Sequence, residues 1–334
     1  MASKPHPEAG DMVIDQFIEE HFHHFNAGVL KRMITSLWDH LRCEGRLVIS
    51  LAGAMSTARI GRSLRPAIKA GLIHGISTTG ANLEEDTFRR IAGDSYRTVA
   101  DWHEFSASND AALCEEGMNR VTDVCIPEAE AVRKLEGRLI DVWSSAEREG
   151  RRYFPHEYLQ QVLQNGGIKE EWSGEPSESW LDAALSKQVP IWTPGWEDST
   201  TGNIFAAQCI EGSVSNSGIV KSGVEAMMDL AAWYAASDRP TGLLQIGGGI
   251  AGDFVICVAP MLEQDLGREV RKWAWYGQIT DSTASYGGYS GAWPQEKISW
   301  GKLELEAPRF SVQSDASIVL PLILAALVER AGAR

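Results

Sequence analysis

The hydrophobic positions of this chain follow two rhythms. Over residues 11–42, Val13, Phe17, Phe25, Leu30, Met33, Leu37 and Leu41 recur at helical steps, which predicts a helical arm behind a polar, Pro-bearing tail. From residue 46 onward, short apolar runs stop at small or acidic residues, and helical patterns follow. RLVISL runs into a Gly loop, and STARIGRSLRPAIKAG then reads as a helix with Ser56 as N-cap and Gly71 as stop. LIHGIS ends in TTGANLEED, where Glu84, Glu85 and Asp86 read as the acidic opening of the next helix. The same grammar returns where VPIWTP ends in GWEDSTTGN, GLLQI in GGGIAGDF, KWAWYGQ in ITDSTAS and RFSVQ in SDAS. Helices predicted over 126–149, 177–187 and 221–236 fill the gaps. The run IVLPLILAALV (318–328) is too short for a bilayer and reads as a buried helix.

Alternating strand and helix predicts an α/β fold with a mostly parallel, doubly wound, Rossmann-like sheet covered by helices on both faces. We expect a tail and helical arm over 1–42, then a single α/β domain over 43–334 with a helical insertion near 94–175. In such sheets ligands bind beyond the carboxyl ends of strands, where each of these polar, Gly-rich clusters falls. Apolar residues at 44% and charged residues at 23% are the balance of a soluble globular protein. A net charge of −14 argues against nucleic acid as a partner and suits a protein that handles cations. The five cysteines are scattered and odd in number, which excludes a full disulfide framework and fits a reducing compartment. The start MASKPHPEAGDM has no apolar signal core, so a cytoplasmic protein without a membrane role is expected.

Candidate chemistry then narrows the field. Gly247-x-Gly249-x-x-Gly252 lies between a predicted strand and helix, the context a dinucleotide loop needs; turn-making glycines are the plainer alternative. Asp315, between strand and helix, suits either a ribose hydroxyl or an N-cap. Acidic and aromatic residues pair repeatedly: Trp196 with Glu197 and Asp198, Trp293 with Glu296 and Trp300. A slot of carboxylates and indole faces suits an extended polyamine, although twelve tryptophans also suit a core. His21 and His24 share a predicted helical face, yet no second ligand group follows, so no metal is expected. No Gly-x-Ser-x-Gly elbow is present, which removes the usual entry to serine hydrolysis. Lys302, after Trp300 and Gly301, is either an imine-forming amine or a lysine that blocks a strand edge; read locally, the edge is favoured.

ISWGKL resembles the Ser-Trp-Gly-Lys signature of the deoxyhypusine synthase family, and STTGANLEED, TPGWEDSTTGN, IGGGIAGD, YSGAWPQEKISWGK and SDASIVLPL resemble its other motifs in order. The likeness spans roughly residues 25–330 and is greatest to the bacterial, deoxyhypusine synthase-like branch. It implies a transferase in which NAD removes hydride from spermidine, a lysine captures the aminobutyl unit as an imine, and the unit passes to an acceptor amine. It also implies a homotetramer with active sites between subunits. Lys302 falls at the imine-forming position, and Glu84, Glu85, Glu296 and Trp300 fall at polyamine positions. Ser56, Thr57, Thr79, Gly80, Ala81, Glu85, Asp198, Gly248, Asp315 and Ala316 fall at NAD positions. The chain departs from the family where Asp253 replaces a histidine that moves a proton, and where Asn203 and Tyr289 replace slot residues. The resemblance therefore implies retained lysine and NAD chemistry with an altered amine end. The acceptor is a small polyamine or a protein lysine. A true deoxyhypusine synthase acting on a translation-factor lysine, or a non-catalytic NAD- and polyamine-binding homologue, are the alternatives.

Overall fold

A computed structural model describes residues 13–164 and 172–332; the predicted polar tail lies outside them. The chain forms one six-stranded, all-parallel sheet in the order β6-β2-β1-β7-β8-β9. Its strands are β1 (Arg46–Leu51), β2 (Gly75–Thr78), β6 (Ile191–Trp192), β7 (Thr241–Ile246), β8 (Trp275–Thr280) and β9 (Arg309–Gln313). The strand order reverses between β1 and β7, which are in register from Arg46 opposite Thr241 to Leu51 opposite Ile246. The expected α/β, doubly wound architecture is what the fold adopts.

Both faces of the sheet are covered, and the strand alternation explains how. Leu47, Ile49 and Leu51 enter one core with α2 (Phe25–Arg42), α3 (Gly61–Lys69), α4 (Gly80–Ala92) and α14 (Ala316–Gly332). Val48 and Leu243 point the other way, into a second core with α10 (Gly223–Ala235), α11 (Gly249–Ile256) and its one-turn continuation α12 (Val258–Pro260). Side chains of successive strand residues alternate between faces, so a strand buried on both sides reads as a continuous apolar run. The arm is two helices, α1 (Ile14–His21) and α2; α1 packs on α14, while α2 packs on β9.

Several expectations change. The 94–175 region is not wholly helical: β3 (Arg97–Thr98), β4 (Met118–Val121) and β5 (Val124–Pro127) form a small antiparallel sheet beside α5 (Ala107–Glu115). A two-residue turn at Thr122-Asp123 joins β4 to β5, with Thr122 in the left-handed region at φ 54. The helix predicted from 126 therefore starts late, as α6 (Lys134–Arg148) after a π-helical stretch, and α7 (Pro155–Gln164) and α8 (Trp180–Ser186) follow. Residues 165–171 of that region lie outside the described residues. Ser56 caps no helix: α3 begins at Gly61, and the Ser56 hydroxyl donates to the Asn82 carbonyl instead. Glu84, Glu85 and Asp86 do not open a helix either. Thr79 caps α4, and the three acids sit buried within it. His21 and His24 share no helical face, because α1 ends at His21 and α2 begins at Phe25. Lys302 is not on a strand edge; it is buried, and Leu303 beside it makes a single bridge to Trp273.

Candidate active site

The reversal point of the sheet opens a cleft of about 430 Å³ at the carboxyl ends of β1, β7, β8 and β9. Ala52, Gly53, Gly247, Asp281, Asp315 and Ala316 line it. The glycine loop after β7 is shaped by contact as well as by conformation. Gly247 and Gly249 take φ +72 and +64, a region that disfavours side chains. A Cβ on Gly248 would meet Ser290 Oγ at 1.8 Å, and one on Gly252 would meet Gln245 Cδ at 2.8 Å. Gly247 and Gly249 thus hold turns that disfavour a side chain, Gly248 lets Ser290 lie against the loop, and Gly252 lets α11 lie close on β7. That division of labour fits a flat dinucleotide on this loop.

The other predicted cofactor positions have different roles in the fold. Thr79 Oγ1 donates to the Gly53 carbonyl at 2.7 Å, which ties the start of α4, with Gly80 and half-buried Ala81, to the cleft rim. Asp315 is exposed and caps α14: its Oδ1 accepts the Ser317 N–H at 2.7 Å. Ser56 and Thr57 are buried and committed to the frame, Ser56 to Asn82 and Trp180, Thr57 to Glu85. Asp198 is exposed in the loop before α9 (Thr200–Glu211).

Lys302 lies behind this edge, next to α11. Its Nζ is 3.1 Å from Asp253 Oδ1, an oxygen that also accepts from the Cys257 thiol at 3.6 Å. The amine stands 5.6 Å from the Tyr289 ring centroid and 5.8 Å from that of Trp300. The fold thus brings together Lys302, Asp253, Tyr289 and Trp300 from three separate stretches of chain. The Lys302 side chain is 11% exposed and that of Asp253 is 51%, so the amine looks outward past a carboxylate at the mouth. Glu296 is exposed at the start of α13 (Glu296–Ser299), and its Oε1 accepts the Trp293 N–H. Burial pushes the Cys257 thiol up from its ordinary range, against the downward pull of the nearby Lys302 charge.

The remaining substrate candidates lie around α4 and α9. Glu84 is buried and accepts the Thr200 and Thr201 N–H groups at 2.9 and 2.7 Å, so it caps α9. Burial holds its carboxyl above the ordinary range against those two bonds. Glu85 is pushed up to about 7, by burial first, while it accepts from the Thr57 hydroxyl. Asp86 is likewise pushed up to about 7 by burial, and it accepts from Ser179 Oγ, Trp180 N and Leu181 N. Asn203 is exposed on α9, where it borders a second cleft of about 600 Å³ with Trp196, Glu197, Phe205 and Ile210. No hydrogen bond or ion pair among the described residues joins Asn203 or Glu84 to the Lys302 cluster.

Three participants carry little sequence signal. Asn82 is fully buried; its Nδ2 reaches the carbonyls of Leu51 and Gly53, and its Oδ1 accepts the Ser56 N–H. Cys257 is a lone cysteine in the sequence, and Lys297 is one lysine in an exposed-looking EKIS; both acquire their neighbours from the tertiary fold.

Comparison with known proteins bears on this geometry. The family described as deoxyhypusine synthase matches residues 18–327. A deoxyhypusine synthase-like protein of Thermosynechococcus vestitus is 29% identical over 98% of this chain and 81% of its own length. One from a Cyanothece species is 30% identical over 99% of this chain and 82% of its own. In structure, a proposed deoxyhypusine synthase of Entamoeba histolytica superposes with a TM-score of 0.59 at 12% identity, over 97% of this chain and 96% of that one, a likeness of fold.

Proposed function

The chain belongs to the deoxyhypusine synthase family, and from that premise we propose that it is an NAD-dependent transferase that carries an aminobutyl-type group from a polyamine such as spermidine on Lys302. The observation that carries this reading is the Lys302 cluster: a mostly buried amine against Tyr289 and Trp300 with Asp253 at its mouth. The cleft at the sheet reversal, with its glycine loop and Asp315, supports the dinucleotide. Bound NAD would supply reversible hydride uptake. Every other task falls to the chain. The Trp300 and Tyr289 faces would cover methylenes and attract an ammonium group. Asp253 would receive an incoming cation and, by holding the Lys302 proton, set when the lysine lone pair is free. Lys302 would then attack the oxidised carbon; its new C–N bond replaces the bond to the departing diamine, which leaves with the proton.

A small amine is the favoured acceptor. Asp253 offers an exposed carboxylate where the family has a histidine, and a carboxylate suits a small cation arriving from solvent. Sites shared between subunits of a tetramer accord with the separation of Asn203 and Glu84 from Lys302 within one chain; a monomer in solution scattering would contradict this. Borohydride trapping with spermidine tests the central reading. We expect an adduct on Lys302 that requires NAD and is absent in Lys302→Ala. No adduct across a panel of polyamines would overturn the enzyme reading in favour of a binding protein.

A further inference from the structure

Five residues before Lys302 stands a second amine without a task so far. Lys297 is 3% exposed, and its Nζ makes no hydrogen bond. It lies 4.8 Å from the Tyr289 ring centroid and 5.0 Å from that of Tyr276. Lys302 borders the same Tyr289 ring, so both amines share one aromatic wall. The Tyr289 hydroxyl is buried and unpartnered there too. The two lysines differ in one respect that matters. Lys302 has Asp253 as counter-ion, whereas Lys297 has none within ion-pair distance among the described residues.

A buried amine without a counter-ion gives up its proton more readily than a solvated one. Burial, and next the Lys302 charge, hold Lys297 down at about 8, against weaker upward pulls from Glu296 and Asp253. The other titratable groups at this wall, Tyr276, Tyr289 and Cys257, are pushed up by burial and stay neutral near pH 7. The charges can therefore be counted. Lys302 is matched by Asp253. At pH 7 Lys297, held at about 8, still carries its proton most of the time, so a further cation entering the site displaces that proton and leaves one proton for Lys297 and the entering amine to share.

We propose that Lys297 is the base of this site: its free amine takes the proton of an alkylammonium group bound beside Lys302. The Lys297 lone pair forms the new N–H bond. The ligand's N–H bond breaks with its electrons left on the ligand nitrogen, and neither partner is oxidised or reduced. A nitrogen needs that lone pair before its carbon can be oxidised and before it can attack an electrophilic carbon. The tyrosine faces can hold the resulting Lys297 ammonium, which makes the transfer reversible. Asp253 is less suited to this task because its Oδ1 is already engaged by Lys302 and Cys257. The assignment rests on the polyamine reading above and fills the proton-moving role that the Asp253 position leaves open.

Calorimetry of 1,4-diaminobutane binding at pH 7, in two buffers of different ionisation enthalpy, counts protons without any turnover. We expect wild type to release about one proton per diamine bound, and Lys297→Met to release none. Lys297→Arg keeps a permanent cation and is expected to weaken binding by about tenfold or more. Zero release by wild type, or equal release by wild type and Lys297→Met, would overturn the base assignment while leaving Lys302 trapping untouched. Failure of wild type to bind any diamine would overturn the polyamine reading and this assignment together.

Discussion

Replacing Glu84 with alanine separates a scaffold carboxylate from a ligand-binding one. Glu84 accepts two N–H groups from the first turn of α9, donors that a helix cannot satisfy within itself. Hydrogen bonds to a charged partner contribute about 1.5–3 kcal/mol each, so the pair contributes about 3–6 kcal/mol. Burial works the other way, because it holds the Glu84 carboxyl up and the alanine variant is relieved of that desolvation. We expect a net loss of about 3 kcal/mol. At about 2 °C per kcal/mol for a chain this large, Tm falls by about 6 °C. Urea unfolding followed by tryptophan fluorescence should show a lower midpoint at unchanged slope. Glu84→Gln, which keeps one carbonyl acceptor, should lose about half as much. A loss below about 1 kcal/mol, with polyamine binding abolished, would refute the capping role and return Glu84 to the ligand.

Glu85 and Asp315 make sharper use of charge. The Glu85 carboxyl sits at about 7 in the fold, above its unfolded value of about 4.3. A raised carboxyl contributes its stability below the unfolded value and loses it as pH rises through about 7. Relative to wild type, Glu85→Gln should therefore gain about 2 kcal/mol between pH 5 and pH 8; parallel urea curves at both pH values would expose the error if the gap stays constant. Asp315→Asn should keep the α14 cap, since asparagine caps as well as aspartate, and leave Tm within about 1 °C. It should weaken NAD binding about tenfold, the worth of one charged hydrogen bond; unchanged affinity by titration would remove the ribose role.

The sequence was most legible where one physical rule acts alone. Parallel strands buried on both faces must read as short apolar runs, and RLVISL and GLLQI do so, while the edge strand RFSVQ alternates. Glycines that end such runs mark where backbone must come close, and Gly247, Gly248 and Gly252 each meet that demand in the fold. The small antiparallel sheet was harder to read, because its strands are only two to four residues long and partly exposed. Local patterns of that length do not separate a hairpin from a helix.

By itself, then, the sequence determined the parallel sheet, the glycine loop at its reversal and the family signature around Lys302. Those depend on local pattern, which any window of the chain displays. The tertiary structure decided which charged groups are buried and with whom. It turned Glu84 into the cap of α9, drew Asp86 onto α8, matched Lys302 with Asp253 and left Lys297 without a counter-ion. Burial and partnership are properties of side chains far apart in sequence, so the protonation of this site could be read from the packed fold and from nothing shorter.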